Sequence, residues 1–241
     1  EVDPGDVELT IVLGGDGTIL AAAELTRGST APLLGINHGH VGFLAESEKD
    51  DLAWTVAQAL AGEYDMEERL ALDVVVQRDG IEVYRSFALN EATLEKASRA
   101  RMIEVALEVD GRPISAFGAD GVVMATPTGS TAYSFSAGGP VVWPGVEALL
   151  MVPLSAHALF ARPLVVGPDS VMAVELLERS AANAVLWCDG RRSVDITPGS
   201  RVQVSKSSEP IRLARLHPGP FTDRLVNKFS LPVTGWRGPG E

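Results

Sequence analysis

The spacing of apolar and polar positions changes partway along the chain. In the first sixty or so residues the apolar positions come in blocks: residues 9–13 (LTIVL) form a run broken only by Thr10, residues 18–26 are rich in Ala and Leu, and Leu33–Ile36 is a second run. Short continuous runs suit strands covered on both faces, and the Ala/Leu-rich stretch between them suits a helix. A second helix is expected where Ser47 and Asp50 make a capping box ahead of Leu52, Val56, Ala59 and Leu60, which fall on one helical face, with Gly62 ending it. Strand, helix, strand, helix predicts a parallel sheet, and ligands of such sheets gather at the carboxyl ends of the strands. Residues 14–18, GGDGT, lie at that end.

Beyond about residue 70 the period shortens to two. LDVVVQR-DG-IEVYRSF and MIEVALEV-DG-RPISAF each read as two alternating strands joined by a tight turn, at Asp79-Gly80 and Asp110-Gly111. Further strands at residues 171–177, Ala184–Cys188, 201–205 and 211–216 are expected to extend this β-rich part. The tail FTDRLVNKF, with Thr222 as its cap, predicts a short helix that packs back on the first domain. The expected fold class is α/β plus β: an N-terminal Rossmann-like parallel α/β domain over residues 1–67, a β-sandwich-like domain over 68–218, and a C-terminal segment over 219–241 returning to the first domain. The opening residues read as a loop leading straight into a central strand, so an upstream strand and helix are expected to precede them.

Composition narrows the function classes. With 46% hydrophobic and 22% charged residues the chain suits a globular core, and its 241 residues suit two modest domains. A formal charge of −12 without a Lys/Arg cluster argues against a nucleic-acid partner, since phosphate neutralisation needs a basic face. Cys188 is the single cysteine, which rules out an intrachain disulfide and suits a reducing, cytoplasmic setting. The most apolar region, residues 146–166, is broken by Pro153, His157, Arg162 and Pro163, so no membrane span is expected. The Trp and Phe residues are scattered and expected mostly in the core.

Three stretches carry candidate chemistry. GGDGT is neither a P-loop nor a dinucleotide fingerprint, because no Lys follows and Leu20 stands where a third glycine would be. It offers backbone N–H groups at a helix N-terminus to an anion, from Gly14, Gly15, Gly17 and Thr18, with Asp16 reaching toward a hydroxyl or a metal. An aspartate that merely caps the next helix fits the same letters. TPTGSTAYSFS, residues 126–136, has seven hydroxyls in eleven residues after the strand GVVMA, and predicts a turn and a short helix from about Thr131, ended by Gly138-Gly139. It could serve a polar anionic ligand, with Tyr133 as a flat face for a base, or be a Ser/Thr turn. Asn90-Glu91 interrupts the strand-like ALNEATLE and could bind sugar or amino groups, or face water on an edge strand. Asp120 before Gly121 is a ligand candidate or a turn residue. His38 and His40 read as loop residues, and no metal-binding constellation is expected among the four histidines and one cysteine.

In their order along the chain, GGDGT, GINHGHVGFL (residues 35–44), Asn90-Glu91 and DGVVMATPTGSTAYSFSAGGP (residues 120–140) resemble the NAD kinase family, and the ending PFTDRLVNKFSLPVTGWRG resembles its actinobacterial branch. The resemblance implies a kinase that moves a phosphoryl group from ATP, or in some members polyphosphate, to the 2′-hydroxyl of the adenosine ribose of NAD. It implies that Asp16 is the general base, with Gly17 beside it. Asn90 and Glu91 would hold the adenosine half and Asp120 the nicotinamide end. Thr131, Ala132, Tyr133, Ser134, Phe135 and Ser136, with Thr128, would enclose the adenine and ribose, and Phe43 and Arg101 would be further contacts.

The chain also departs from family patterns: Ala21 and Gly118 stand where some members carry a cation, and Arg191 in CDGRR stands where others carry Gln, although Arg191 remains a candidate contact. Implied as well are Mg²⁺ or another divalent cation bound mainly through nucleotide phosphates, no membrane partner, and a homodimer or homotetramer. A lipid or sphingoid-base kinase sharing GGDGT, and a non-catalytic NAD(P) sensor, are the competing readings.

Overall fold

The structure, a computed structural model, describes residues 6–37, 42–45, 52–216 and 219–233. It forms two compact units, one made of the residues up to Arg69 together with those from Ile211 onward, the other of Leu70–Pro210.

The first unit is built on a four-stranded sheet. β1 (Thr10–Leu13) and β2 (Leu33–Ile36) run parallel, joined through α1 (Asp16–Leu25), as the block pattern predicts. α2 (Leu52–Ala61) stops at Gly62 (φ 71°), whose N–H donates to Ala59 O while that of Glu63 donates to Gln58 O, the paired bonds of a left-handed helix end. The inward stripe of α2 runs through Leu52, Thr55, Val56 and Ala59, and Leu60, expected on it, is 81% exposed because it sits about 90° off the stripe's centre. The Ser47/Asp50 capping box lies outside the described residues.

Two strands depart from the reading of the sequence. β16 (Ile211–Arg215), expected to extend the β-rich part, enters this sheet instead, parallel to β2 and antiparallel to β3 (Asp65–Arg69). Its Ile211, Leu213 and Ala214 are all buried, and Ala214 joins the core formed with Leu34, Ile36 and Ala59. An apolar five-residue run identifies a strand but not the sheet that adopts it. β3 was not foreseen because DMEER carries four charges; as an edge strand it holds them in ion pairs, Glu68 with Arg212 and Glu67 with Arg69 and Arg215. α4 (Phe221–Phe229) follows, with Pro220 rather than Thr222 at its N-cap, and sets Phe221 and Phe229 against Phe43.

The second unit is a sandwich of two six-stranded sheets. One has the order β11 (Leu164–Val166), β10 (Leu149–Leu154), β9 (Gly121–Ala125), β6 (Glu91–Lys96), β13 (Ala184–Cys188), β14 (Arg192–Ile196). The other has β5 (Ile81–Ala88), β4 (Leu72–Arg78), β15 (Ser200–Lys206), β12 (Met172–Leu176), β7 (Ile103–Val109), β8 (Arg112–Ala119). Alternate residues of β4, β7 and β15 point inward, Val74, Val76, Val105, Leu107, Val202 and Val204 among them, and pack with Leu94, Met124 and Leu186 of the other sheet. Asp79-Gly80 and Asp110-Gly111 close two-residue hairpins with positive φ throughout (52° and 75°; 54° and 71°), the twist such turns need.

β9 is buried along its whole length because Val123 and Ala125 also pack, with Leu150 and Val152, beneath Ala137, Val142 and Leu154. The apolar region 146–166 thus supplies β10 and β11, and no described helix is long and apolar enough to cross a membrane. Trp54, Trp143 and Trp187 are all more than one third exposed, against the expectation that most Trp and Phe lie in the core.

Candidate active site

Asp16 is the first residue of α1, one step beyond the N-cap at Gly15, and its carboxylate is held by a different segment. The N–H of Phe43 donates to Oδ2 at 3.1 Å and the N–H of Leu44 to Oδ1 at 3.0 Å. Two backbone donors fix both the position and the plane of the carboxylate, which a helix-capping role does not require. Gly42 makes this approach possible: a Cβ there would stand 2.3 Å from Asp16 Oδ1. Gly14 is demanded by its backbone, at φ 151°, with Thr18 Oγ1 2.4 Å from where a Cβ would be. Gly15 and Gly17 face open space within 4 Å, so packing does not select them. The N–H groups of Asp16 and Gly17, in the first turn, have no acceptor within their own helix.

In the second unit the chain crosses from one sheet to the other at Leu89 and Asn90, between β5 and β6. β6 lies inside its sheet, flanked by β9 and β13, so Asn90 and Glu91 are buried and do not sit on a wet edge. Asp189, in the turn from β13 to β14, holds this crossing. Its carboxylate accepts from the N–H groups of Leu89 (2.9 Å), Asn90 (2.7 Å) and Glu91 (3.3 Å), and from Arg192 Nη2 (3.0 Å), whose guanidinium lies 4.0 Å from the centre of the Phe87 ring. The Ser/Thr segment docks on the same crossing: the Thr126 N–H donates to Asn90 O at 2.9 Å, and its hydroxyl donates to Leu89 O at 2.6 Å. Gly129 completes the fit, since a Cβ there would fall 2.0 Å from Asn90 O.

A cavity of about 330 Å³ opens beside this crossing, lined by Glu91, Thr93, Glu95, Tyr133, Trp187, Asp189 and Gly190. That size suits a small organic ligand. Glu91, Thr93 and Glu95 share one face of β6, and Trp187 is paired with Thr93 across the strands. Burial, and then the neighbouring charge of Asp189, push the Glu91 carboxyl up to about 8, opposed by a hydrogen bond from the Tyr133 N–H. Its Oε2 is buried with no hydrogen-bond partner among the described residues. Burial also raises Asp189 above the usual carboxylate range, opposed by the N–H donors and by Arg192. The Tyr133 phenol is pushed up to about 12, first by burial and then by its hydrogen bond to Glu95. The cavity therefore presents a neutral carboxyl, able to donate and accept, beside two flat aromatic faces.

Of the residues singled out in the sequence, Glu91 and Tyr133 line the cavity, Asn90 receives the Ser/Thr segment through its carbonyl, and Thr128 is buried in that segment's turn. Two other hydroxyls of the segment serve the turn itself: Ser130 donates to Pro127 O (2.6 Å) and accepts from the Val142 N–H (2.9 Å), and Thr131 donates to Thr128 O (3.2 Å). Ser134 points inward, its Oγ buried without a partner among the described residues. Ala132, at the break between the 3-10 turn Gly129–Thr131 and the helical turn α3 (Tyr133–Ser136), is half-buried, while Phe135 and Ser136 are exposed.

Asp120 is half-buried and paired with Lys96 at 2.5 Å, a hydrogen bond that holds its carboxyl below the usual range. Arg101 is exposed in the connection from β6 to β7, and Arg191 is exposed at the end of the β13–β14 turn; neither lines the cavity. The Phe43 ring packs against Phe221 and Phe229, so Asp16 meets its amide rather than its side chain. His38 and His40 lie outside the described residues. Reading the sequence missed Thr93, Glu95, Trp187, Asp189 and Gly190. Asp189-Gly190 repeats the Asp-Gly turn signal, with φ of 53° and 64°, and the other three alternate outward on their strands. Among the described residues no group of three or more His, Cys, Asp or Glu is placed to hold a metal ion.

Comparison with known proteins decides the family. The ATP-NAD kinase N-terminal domain matches residues 1–64 and the ATP-NAD kinase C-terminal domain matches residues 89–216. The chain belongs to the NAD kinase family. It is 70% identical over 239 residues to an NAD kinase of Leifsonia xyli, an actinobacterium, covering 99% of this chain and 79% of that protein. Its fold is similar to yeast NADH kinase complexed with NADH (TM-score 0.86, 26% identity, 94% of this chain and 67% of that one). It is also similar to an NAD kinase from Archaeoglobus fulgidus in complex with ATP (TM-score 0.78, 29% identity, 95% and 85%). The NAD kinase assignment leaves the lipid-kinase and sensor readings without support.

Proposed function

We propose that this NAD kinase transfers the terminal phosphoryl group of ATP to the 2′-hydroxyl of the adenosine ribose of NAD, giving NADP, with Asp16 as the residue that receives the hydroxyl's proton. The observation that carries this reading is the Asp16 carboxylate, held by the Phe43 and Leu44 amides beside a first turn whose Gly15 and Gly17 leave the backbone open. An ordinary carboxylate is a feeble base toward a sugar hydroxyl. In phosphoryl transfer, though, the loose transition state lets the proton leave late, so an oriented acceptor serves better than a strong one. Two amide donors supply that orientation before substrate arrives. The free N–H groups of the first turn, at the positive end of the α1 dipole, suit the phosphate oxygens.

In the second unit, Glu91, Tyr133 and Trp187 suit the adenosine half of NAD: the aromatic rings offer faces to the base, and the neutral Glu91 carboxyl offers both a donor and an acceptor. Asp120 and Arg101 stay candidate contacts to the rest of the dinucleotide. The divalent cation, Mg²⁺ by preference, enters on the triphosphate as part of the donor, a role that needs few protein ligands. Cytoplasmic residence, with Cys188 reduced, and a homodimer or homotetramer belong to the same proposal.

Incubating the purified protein with ATP, Mg²⁺ and NAD tests the reading. NADP carrying its phosphate on the 2′ position, found by phosphorus NMR and lost on chelation of the metal, is the expected product. No NADP, or full activity after chelation, contradicts it. Replacing ATP by polyphosphate in the same assay decides the donor range.

A further inference from the structure

The two residues whose N–H groups hold Asp16 are themselves held through their carbonyls. Arg224 Nη1 donates to Phe43 O at 2.9 Å, and Arg215 Nη1 donates to Leu44 O at 2.9 Å. The Phe43 carbonyl and the Leu44 N–H belong to one peptide group. A single planar unit therefore links the Arg224 guanidinium on one side to the Asp16 carboxylate on the other. A cation on the carbonyl polarises the peptide and strengthens its N–H as a donor, and the peptide plane transmits the position of the guanidinium. Each arginine is fixed in turn. Arg215 is buried and paired through Nε with Glu67, which also meets Arg69 at 2.9 Å. Arg224 lies on α4 between Phe221 and Phe229, whose ring centres stand 5.7 and 6.0 Å from that of Phe43.

We infer that Arg224 is a positioning residue for Asp16, acting through the peptide group that joins Phe43 to Leu44, while Arg215 anchors the same segment at the next carbonyl, so that the C-terminal helix sets the geometry of the carboxylate without touching substrate. This rests on the role given to Asp16 above. α4, which has no buried residue of its own, thereby acquires a role in placing the candidate base, and the core strand β16 supports the same segment. Loss of a guanidinium leaves the carboxylate free to shift, and a shift of about 1 Å at a reacting group lowers turnover by up to about 10²-fold.

The test uses Arg224→Met, Asp16→Asn and the double variant, with transfer of label from [γ-³²P]ATP to NAD followed for hours so that low rates are measurable, and with thermal midpoints recorded. Arg224→Met is expected to lower kcat at least about 10-fold while KM and Kd for NAD stay within about threefold. In the Asp16→Asn background the same change is expected to alter the rate less than about twofold, because the group being positioned is already lost. Arg224→Lys, which keeps the stem and the charge, is expected to restore part of kcat, and it carries the test if the Met variant unfolds. Equal proportional losses in both backgrounds, or unchanged kcat per folded molecule, overturn the inference. Asp16→Asn with wild-type turnover would instead sink the role of Asp16 itself, whatever Arg224→Met does.

Discussion

Glu91 ties the stability of the second unit to pH in a direction opposite to that of most carboxylates. Its carboxyl rises from the ordinary value of 4.5 to about 8 in the folded state, through burial and the neighbouring Asp189. Below about pH 4.5 both folded and unfolded chains carry the proton, and nothing is lost. Between there and pH 8 the unfolded chain releases it while the folded chain keeps it, so stability falls as pH rises, and the loss is complete above the folded value. At about 1.4 kcal/mol per unit, the change between pH 5 and pH 9 comes to roughly 4 kcal/mol.

Glu91→Gln removes this dependence, because the amide stays neutral and its oxygen can still accept from the Tyr133 N–H. The thermal midpoint of the variant, compared with the wild type at pH 5, 7 and 9 without ligand, is expected to gain ground steadily. The gap should widen by on the order of 10 °C across the range. With Trp54, Trp143 and Trp236 replaced by Phe in both proteins, the fluorescence of Trp187 in the same cavity reports the unit concerned. A gap that stays constant with pH, or narrows, would refute the idea that Glu91 is held protonated by its surroundings.

Two further outcomes follow from individual contacts. Gly42→Ala puts a Cβ where Asp16 Oδ1 now sits 2.3 Å away, so the carboxylate must swing off the two amides; kcat is expected to fall by about 10²-fold with NAD affinity, measured by calorimetry, nearly unchanged. Asp189→Asn replaces one acceptor oxygen by a donor facing buried N–H groups and Arg192; a loss of about 2 kcal/mol or more in denaturant unfolding and a raised KM for NAD are expected, and wild-type values for both would contradict the lock on the Leu89–Glu91 crossing.

Much of the architecture was legible because local pattern and tertiary role agree. Leu33–Ile36 is apolar throughout because both faces of β2 are covered, and LDVVVQR alternates because one face of β4 meets the core. The Asp-Gly pairs mark hairpins because each needs two left-handed residues in succession. Legibility fails where a partner distant in sequence decides the outcome. Residues 211–215 look like any apolar strand, and only the free edge of β2 assigns them to the first sheet. DMEER becomes a strand because Arg212 and Arg215 neutralise its charges across β16.

The candidate site follows the same division. GGDGT, Asn90-Glu91 and the Ser/Thr segment stand out because their polar residues break apolar runs. Asp189 does not, since its function is to accept the amides of residues 98 to 100 positions away. Nor does the sequence reveal that Ser130 and Thr131 serve the turn while the Asn90 carbonyl receives it.

Asp16→Asn measures the central claim most directly. Asn keeps the size of the side chain but cannot take a proton from a ribose hydroxyl. Calorimetric NAD affinity within about threefold of wild type, together with NADP formation reduced by about 10²-fold or more, is the predicted result. Undiminished turnover, or loss of binding in equal measure with rate, would contradict it.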